Sequence, residues 1–160
     1  MRRGILERKE LYDNIVRVLR ESVRYDVLAI IVFGSSIYFG RGKDIDIIVV
    51  VSERLSHRDK IELEYKIKSF FLRRGIVLDV HVLDIFMFKE NLRPGTFLCG
   101  LALGYEIIYA KDSIVEDKIL CFLKKLSEEK YVFHNKYGTR NLAHHARITY
   151  KRKTSQKKLK

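Results

Sequence analysis

Apolar positions along the chain alternate between two spacings, and the alternation predicts a mixed α/β domain. Residues 7–24 place Leu11, Ile15, Val18 and Leu19 at helical spacing between charges, the pattern of an amphipathic helix. Residues 28–33 (LAIIVF) and 45–51 (IDIIVVV) are short, continuous apolar runs rich in β-branched residues, which predicts buried strands. Residues 57–74 return to helical spacing through Ile61, Leu63, Ile67, Phe70 and Phe71, with Ser56 as N-cap and Gly75 as C-terminal stop. Residues 76–83 (IVLDVHVL) form a third strand. A helix over 94–103 opening near Pro94, a short strand over 106–110 and a helix over 113–130 complete the regular pattern. A further helix is expected within 131–150. The domain boundary falls at 1–146, leaving 147–160 as a basic, disordered tail.

Composition narrows the setting. The chain has 160 residues, 47% of them apolar, enough for one domain with a real core. No apolar run approaches the ~18 residues of a membrane span, and the first thirteen residues contain no apolar core of a signal peptide. Cys99 and Cys121 lie far apart and form no metal-ligand spacing, so both are read as buried thiols. A cytoplasmic location without membrane contact is the expectation. The formal charge of +12 is uneven: Arg147 to Lys160 holds seven Lys/Arg and no acid. A basic tail of that kind favours polyanions through counterion release, and RNA is the partner it suits.

The chemistry concentrates in residues 32–50, VFGSSIYFGRGKDIDIIVV. Side chains alternate along a strand, so Asp44 and Asp46 share a face while Ile45 and Ile47 take the other. Two carboxylates on one face repel unless a cation lies between them. Hard divalent cations prefer such oxygens, and Mg²⁺ is commonly shared between carboxylates and substrate phosphates. Asp79 is a lone acid in an apolar strand; if 76–83 pairs beside 45–51, it becomes a third ligand, with His81 on its face. Gly34 and Ser35 follow the first strand directly and suit close approach to a phosphate, and Arg41 and Lys43 add positive charge. His144 and His145 are sequence neighbours and point apart on a helix, a poor joint ligand set.

The succession Gly34-Ser35, Asp44-Ile45-Asp46 and Asp79 resembles the polymerase-β-like nucleotidyltransferase superfamily, and the size of the chain resembles its minimal members, including antitoxins paired with helical HEPN toxins. The resemblance covers roughly residues 8–110. It implies a nucleotidyltransferase fold, a small mixed β-sheet flanked by helices with extra C-terminal helices. It also implies transfer of a nucleoside monophosphate from an NTP with two Mg²⁺ ions, Mn²⁺ being an alternative, and with Asp44, Asp46 and Asp79 as metal-binding catalytic residues. Gly34, Ser35, Arg41 and Lys43 are the implied nucleotide contacts. The chain departs from the pattern in three places: Tyr38 and Phe39 stand where many minimal members carry an arginine, Lys43 stands where serine is common, and only eight residues separate Ser35 from Asp44. Two functions follow as expectations. One is a metal-dependent enzyme acting on a hydroxyl of a protein, such as a HEPN-like partner, or of RNA. The other is a non-catalytic antitoxin-like subunit that binds a partner or nucleic acid on the same fold. Oligomeric state is left open.

Overall fold

In the computed structural model, which describes residues 2–34, 37, 44–129, 132–135 and 138–159, the chain folds around one four-stranded sheet. Helix α1 (Arg2–Ser22) precedes strands β1 (Val27–Phe33) and β2 (Ile45–Val51), which pair antiparallel. Helix α2 (His57–Leu72) crosses over to β3 (Leu78–Asp84), which returns parallel to β2. Helix α3 (Ile85–Asn91) and a 3-10 helix (Phe97–Leu103) lead into β4 (Tyr105–Ala110), antiparallel to β1. The sheet order is β3-β2-β1-β4. Helix α4 (Ile114–Glu128), a hairpin of β5 (Val132–Asn135) and β6 (Gly138–Asn141), and helix α5 (Leu142–Lys157) complete the chain.

Both faces of the central strands are buried, which is why 28–33 and 45–51 read as unbroken apolar runs. Ile30, Val32, Ile47, Val49 and Val82 pack under α1 and α2. Ala29, Ile31, Phe33, Ile48, Val50 and Leu83 pack on the other face, under the 3-10 helix, α4 and α5. Helix α2 begins as expected: Ser56 accepts a hydrogen bond from Asp59 N–H at 3.1 Å. It ends at Leu72, and Gly75 carries the turn at φ +75°, with Ile76 N–H donating to Phe71 O.

The structure departs from the expected pattern in several places. The segment 94–103 is a turn followed by a 3-10 helix that begins only at Phe97. The helix expected within 131–150 is present, but it begins only at Leu142, after the β5–β6 pair of Val132–Asn135 and Gly138–Asn141. Helix α5 continues across the expected boundary at 146 as far as Lys157, anchored by Thr149 Oγ1 donating to Ala102 O at 2.7 Å and by Lys157 pairing with Asp117 at 3.0 Å. Of the cysteines, Cys99 is buried but Cys121 is exposed. Among the described residues no helix is long and apolar enough to cross a membrane.

Candidate active site

Strand pairing brings the acids together. In the parallel register Asp46 sits directly opposite Asp79, and Ile45 opposite Leu78. Neighbouring strands lie about 4.8 Å apart, so two carboxylates on one face of such a pair feel each other strongly. Asp44 lies exposed just before β2. The side chains of Asp46, Asp79 and His81 emerge at the mouth of the sheet, on the face covered by the 3-10 helix.

The electrostatics record the crowding. Burial, first, and then the negative charges of Asp79 and Asp44 push the Asp46 carboxyl above the usual carboxylate range, with His81 opposing. The acidic groups therefore present oxygen donors in an environment where a cation would relieve repulsion, which is the chemistry a hard divalent ion requires. Asp79 behaves oppositely. The hydrogen bond from Lys68 Nζ to Asp79 Oδ1, at 2.9 Å, holds its carboxyl below the usual range, and nearby His81 adds to the effect. His81 Nε2 lies 3.7 Å from the other oxygen, Asp79 Oδ2. Among the described residues no three His, Cys, Asp or Glu side chains converge as a ready ligand set.

Gly34 completes the mouth. It ends β1 with φ +82°, and a Cβ built there would lie 2.3 Å from Asp46 Oδ2. Only glycine permits both the backbone conformation and the approach of the Asp46 carboxylate. The sequence singled out Gly34 for closeness to a phosphate; the structure assigns it closeness to a carboxylate. Ile37 N–H donates back to Gly34 O at 3.1 Å. Ser35, Arg41 and Lys43, expected as nucleotide contacts, lie outside the described residues, as do Tyr38 and Phe39.

Two groups escaped sequence reasoning. Lys68 reaches around the free edge of β3 from α2, four residues after Glu64, whose carboxylate accepts Val82 N–H at 2.9 Å. That i, i+4 stripe of polar residues aimed at an edge strand was the available signal. Phe97 is 42% exposed, and its ring centroid lies 4.8 Å from that of His81. Phe33, buried in the core, flanks His81 from behind at 6.3 Å, so Phe97 and His81 form a ledge beside Asp79.

No family model and no curated protein sequence matches the chain. Solved structures do. A chain of a toxin–antitoxin complex with AMP-PNP is similar at a TM-score of 0.50 and 20% identity, covering 73% of this chain and 87% of that one. The complex of tri-AMPylated Shewanella oneidensis HEPN toxin with MNT antitoxin gives a TM-score of 0.50 at 20% identity, over 75% and 87% of the two chains. A mutant of the MntA–HpeT toxin–antitoxin pair gives 0.50 at 18% identity, over 73% and 87%. The likeness establishes the fold: a mixed four-stranded sheet flanked by helices, the nucleotidyltransferase fold that the sequence resemblance implied.

Proposed function

We propose that this chain is a metal-dependent nucleotidyltransferase that moves a nucleoside monophosphate from an NTP to a hydroxyl on a protein or an RNA. One observation carries the reading. The parallel pairing of β2 with β3 sets Asp46 beside Asp79, with Asp44 two residues upstream, at a mouth where Gly34 leaves room for the Asp46 carboxylate. The shared fold supports it: one structure of that fold holds AMP-PNP and another contains an AMPylated toxin.

In the reaction the acceptor oxygen bonds to the α-phosphorus. The bond from that phosphorus to the α–β bridging oxygen breaks, pyrophosphate departs with the electron pair, and the hydroxyl proton passes to solvent. Asp44, Asp46 and Asp79 are the residues that would hold Mg²⁺, or Mn²⁺ in its place, and two such ions would supply charge neutralisation on the triphosphate and at the acceptor oxygen. The chain's own contribution is positioning. Strand register fixes the separation of Asp46 and Asp79, and Gly34 fixes the depth of Asp46. Ser35, Arg41 and Lys43 are assigned phosphate contacts on their place in the sequence after β1. Lys68 keeps Asp79 ionised and therefore available as a ligand once the lysine withdraws.

The test uses NTPs labelled at the α- or at the γ-phosphate, Mg²⁺ and an extract of macromolecules. Label from the α-position becoming attached to a macromolecule, with none from the γ-position, is the expected result, and Asp44→Asn reduces it at least about a hundredfold. Attachment of γ-label, or full activity in Asp44→Asn, contradicts the assignment. The Lys68–Asp79 pair favours a second reading, a non-catalytic partner-binding subunit in which the lysine permanently replaces the cation. Under that reading neither label is transferred, and added Mg²⁺ does not alter thermal stability.

A further inference from the structure

The positive charge of this protein is segregated further than the tail alone suggests. Residues 130–160 contain ten Lys/Arg and no Asp or Glu, whereas the preceding 129 residues hold twenty-two bases against twenty acids. Of the net +12, +10 therefore belongs to this one segment. Its helix α5 packs on the domain, on the 3-10 helix through Thr149 and on α4 through Lys157, which pairs with Glu116 and Asp117. The inner bases are thereby occupied, Lys153 lying 4.5 Å over the Tyr105 ring. Lys151, Arg152 and Lys158 face outward, all exposed, and no salt bridge to a carboxylate joins them among the described residues.

This basic face leads to the carboxylates. Arg152 Nη2 lies 3.7 Å from where a Cβ on Gly104 would stand, and Ile37, in the loop after Gly34, lies 3.2 Å from the same point. Gly104 directly precedes Tyr105, the β4 partner of Phe33. The 3-10 helix spans the interval from there to Phe97, roughly 12 Å at about 2 Å per residue, and Phe97 stacks on His81 beside Asp79. A track of cations ending at an exposed ring, Phe97, stacked beside the partly exposed His81, is the arrangement that binds single-stranded nucleic acid: charge follows the backbone and bases stack on aromatic faces. A membrane surface fits less well, because the outward face of α5 offers only Ile148 as a large apolar group, with Leu159 just beyond its end.

We propose that α5 and the Phe97–His81 ledge form a binding track for single-stranded nucleic acid, leading its terminal hydroxyl toward Asp46 and Asp79. The inference rests on the proposed nucleotidyl transfer only for what happens to the bound strand; binding itself is independent of it. The test is fluorescence anisotropy of a labelled twenty-nucleotide single-stranded RNA, without NTP, against the full chain over a series of salt concentrations. The triple variant Lys151→Gln, Arg152→Gln, Lys158→Gln should bind about tenfold more weakly at moderate salt, and its log–log salt slope should fall by roughly two. Phe97→Ala should weaken binding about fivefold or more, with little change in slope. A control triple variant on α1 and α2, Lys9→Gln, Arg17→Gln, Arg58→Gln, should bind as the unaltered chain does. Circular dichroism confirms that each variant is folded. No binding at low salt, as expected if this face serves a protein partner, overturns the proposal. So does equal loss in the control variant, which would mean generic charge attraction. Retained RNA binding with no transfer of label to any acceptor would defeat the proposed enzyme activity while leaving the track intact.

Discussion

At the residue scale the site is a balance between two aspartates held in opposite electrostatic states. Burial and neighbouring carboxylates raise the Asp46 carboxyl, so the folded protein holds that proton more tightly than the unfolded chain. The associated stability is fully present below the unfolded carboxylate range and is lost as pH rises through the folded value; at neutral pH the charge is a net cost. Asp46→Asn should therefore raise the melting temperature at pH 7 and leave it little changed at pH 3, while removing nucleotidyl transfer. A lower melting temperature at pH 7 would show that the negative charge is instead stabilising. Asp79, lowered first by the hydrogen bond from Lys68, contributes in the reverse sense: its stabilisation is present above the unfolded carboxylate range and is lost on acidification through the lower folded value. Half of that side chain is exposed, so solvent screening keeps the contribution small. Gly34 is the third determinant. Gly34→Ala places a Cβ against the Asp46 carboxylate at positive φ, and is expected to cost about 1–3 kcal/mol in stability and most of the activity; urea unfolding and the labelling assay read both.

At the scale of elements, α2 guards the free edge of the sheet. Glu64 accepts a backbone N–H from β3, Lys60 pairs with Glu64, and Lys68 reaches Asp79. Lys68→Met should lower the melting temperature in metal-free buffer and enlarge the stabilisation given by Mg²⁺, since the ion no longer competes with an internal ammonium; a thermal-shift titration reads both, and an unchanged Mg²⁺ response would contradict it. The elements that carry the site were legible because tertiary structure and local pattern agree there. The two-face burial of β2 makes 45–51 an apolar run, and the one-residue alternation puts Asp46 and Asp79 on a common face. The elements that were not legible depend on distant or small contacts. Helix α3 is seven residues long and starts on Asp84, a buried side chain that caps Phe86 and Met87 N–H while also accepting Leu55 N–H at 3.0 Å, a bond invisible in local sequence. Beyond Leu142, helix α5 buries the small residues Ala143, Ala146 and Thr149, so its inward stripe does not stand out among the lysines. Thr149→Val should accordingly cost about 1 kcal/mol by orphaning Ala102 O, read by chemical unfolding.

At the scale of the whole molecule the fold separates two jobs. The sheet mouth gathers acids, and residues 130–160 hold nearly all the excess base, with Arg152 of α5 and Ile37 of the loop after Gly34 both close to Gly104. Acid and base so divided would let the same molecule hold a cation-bound triphosphate at one place and a second polyanion at another without either repelling the other. The division also explains why the chain's net charge alone pointed to a polyanion but not to where it binds: the charge count is a property of sequence, while the route from Arg152 to Phe97 exists only after the 3-10 helix is laid across the sheet end. The measurement that tests the central claim most directly is calorimetric titration of each NTP into the protein with and without Mg²⁺, repeated with Asp46→Asn. Binding of at least one NTP that requires Mg²⁺ and disappears in the variant is the expected result. Absence of heat for all four nucleotides, or an unaltered isotherm in Asp46→Asn, would contradict it.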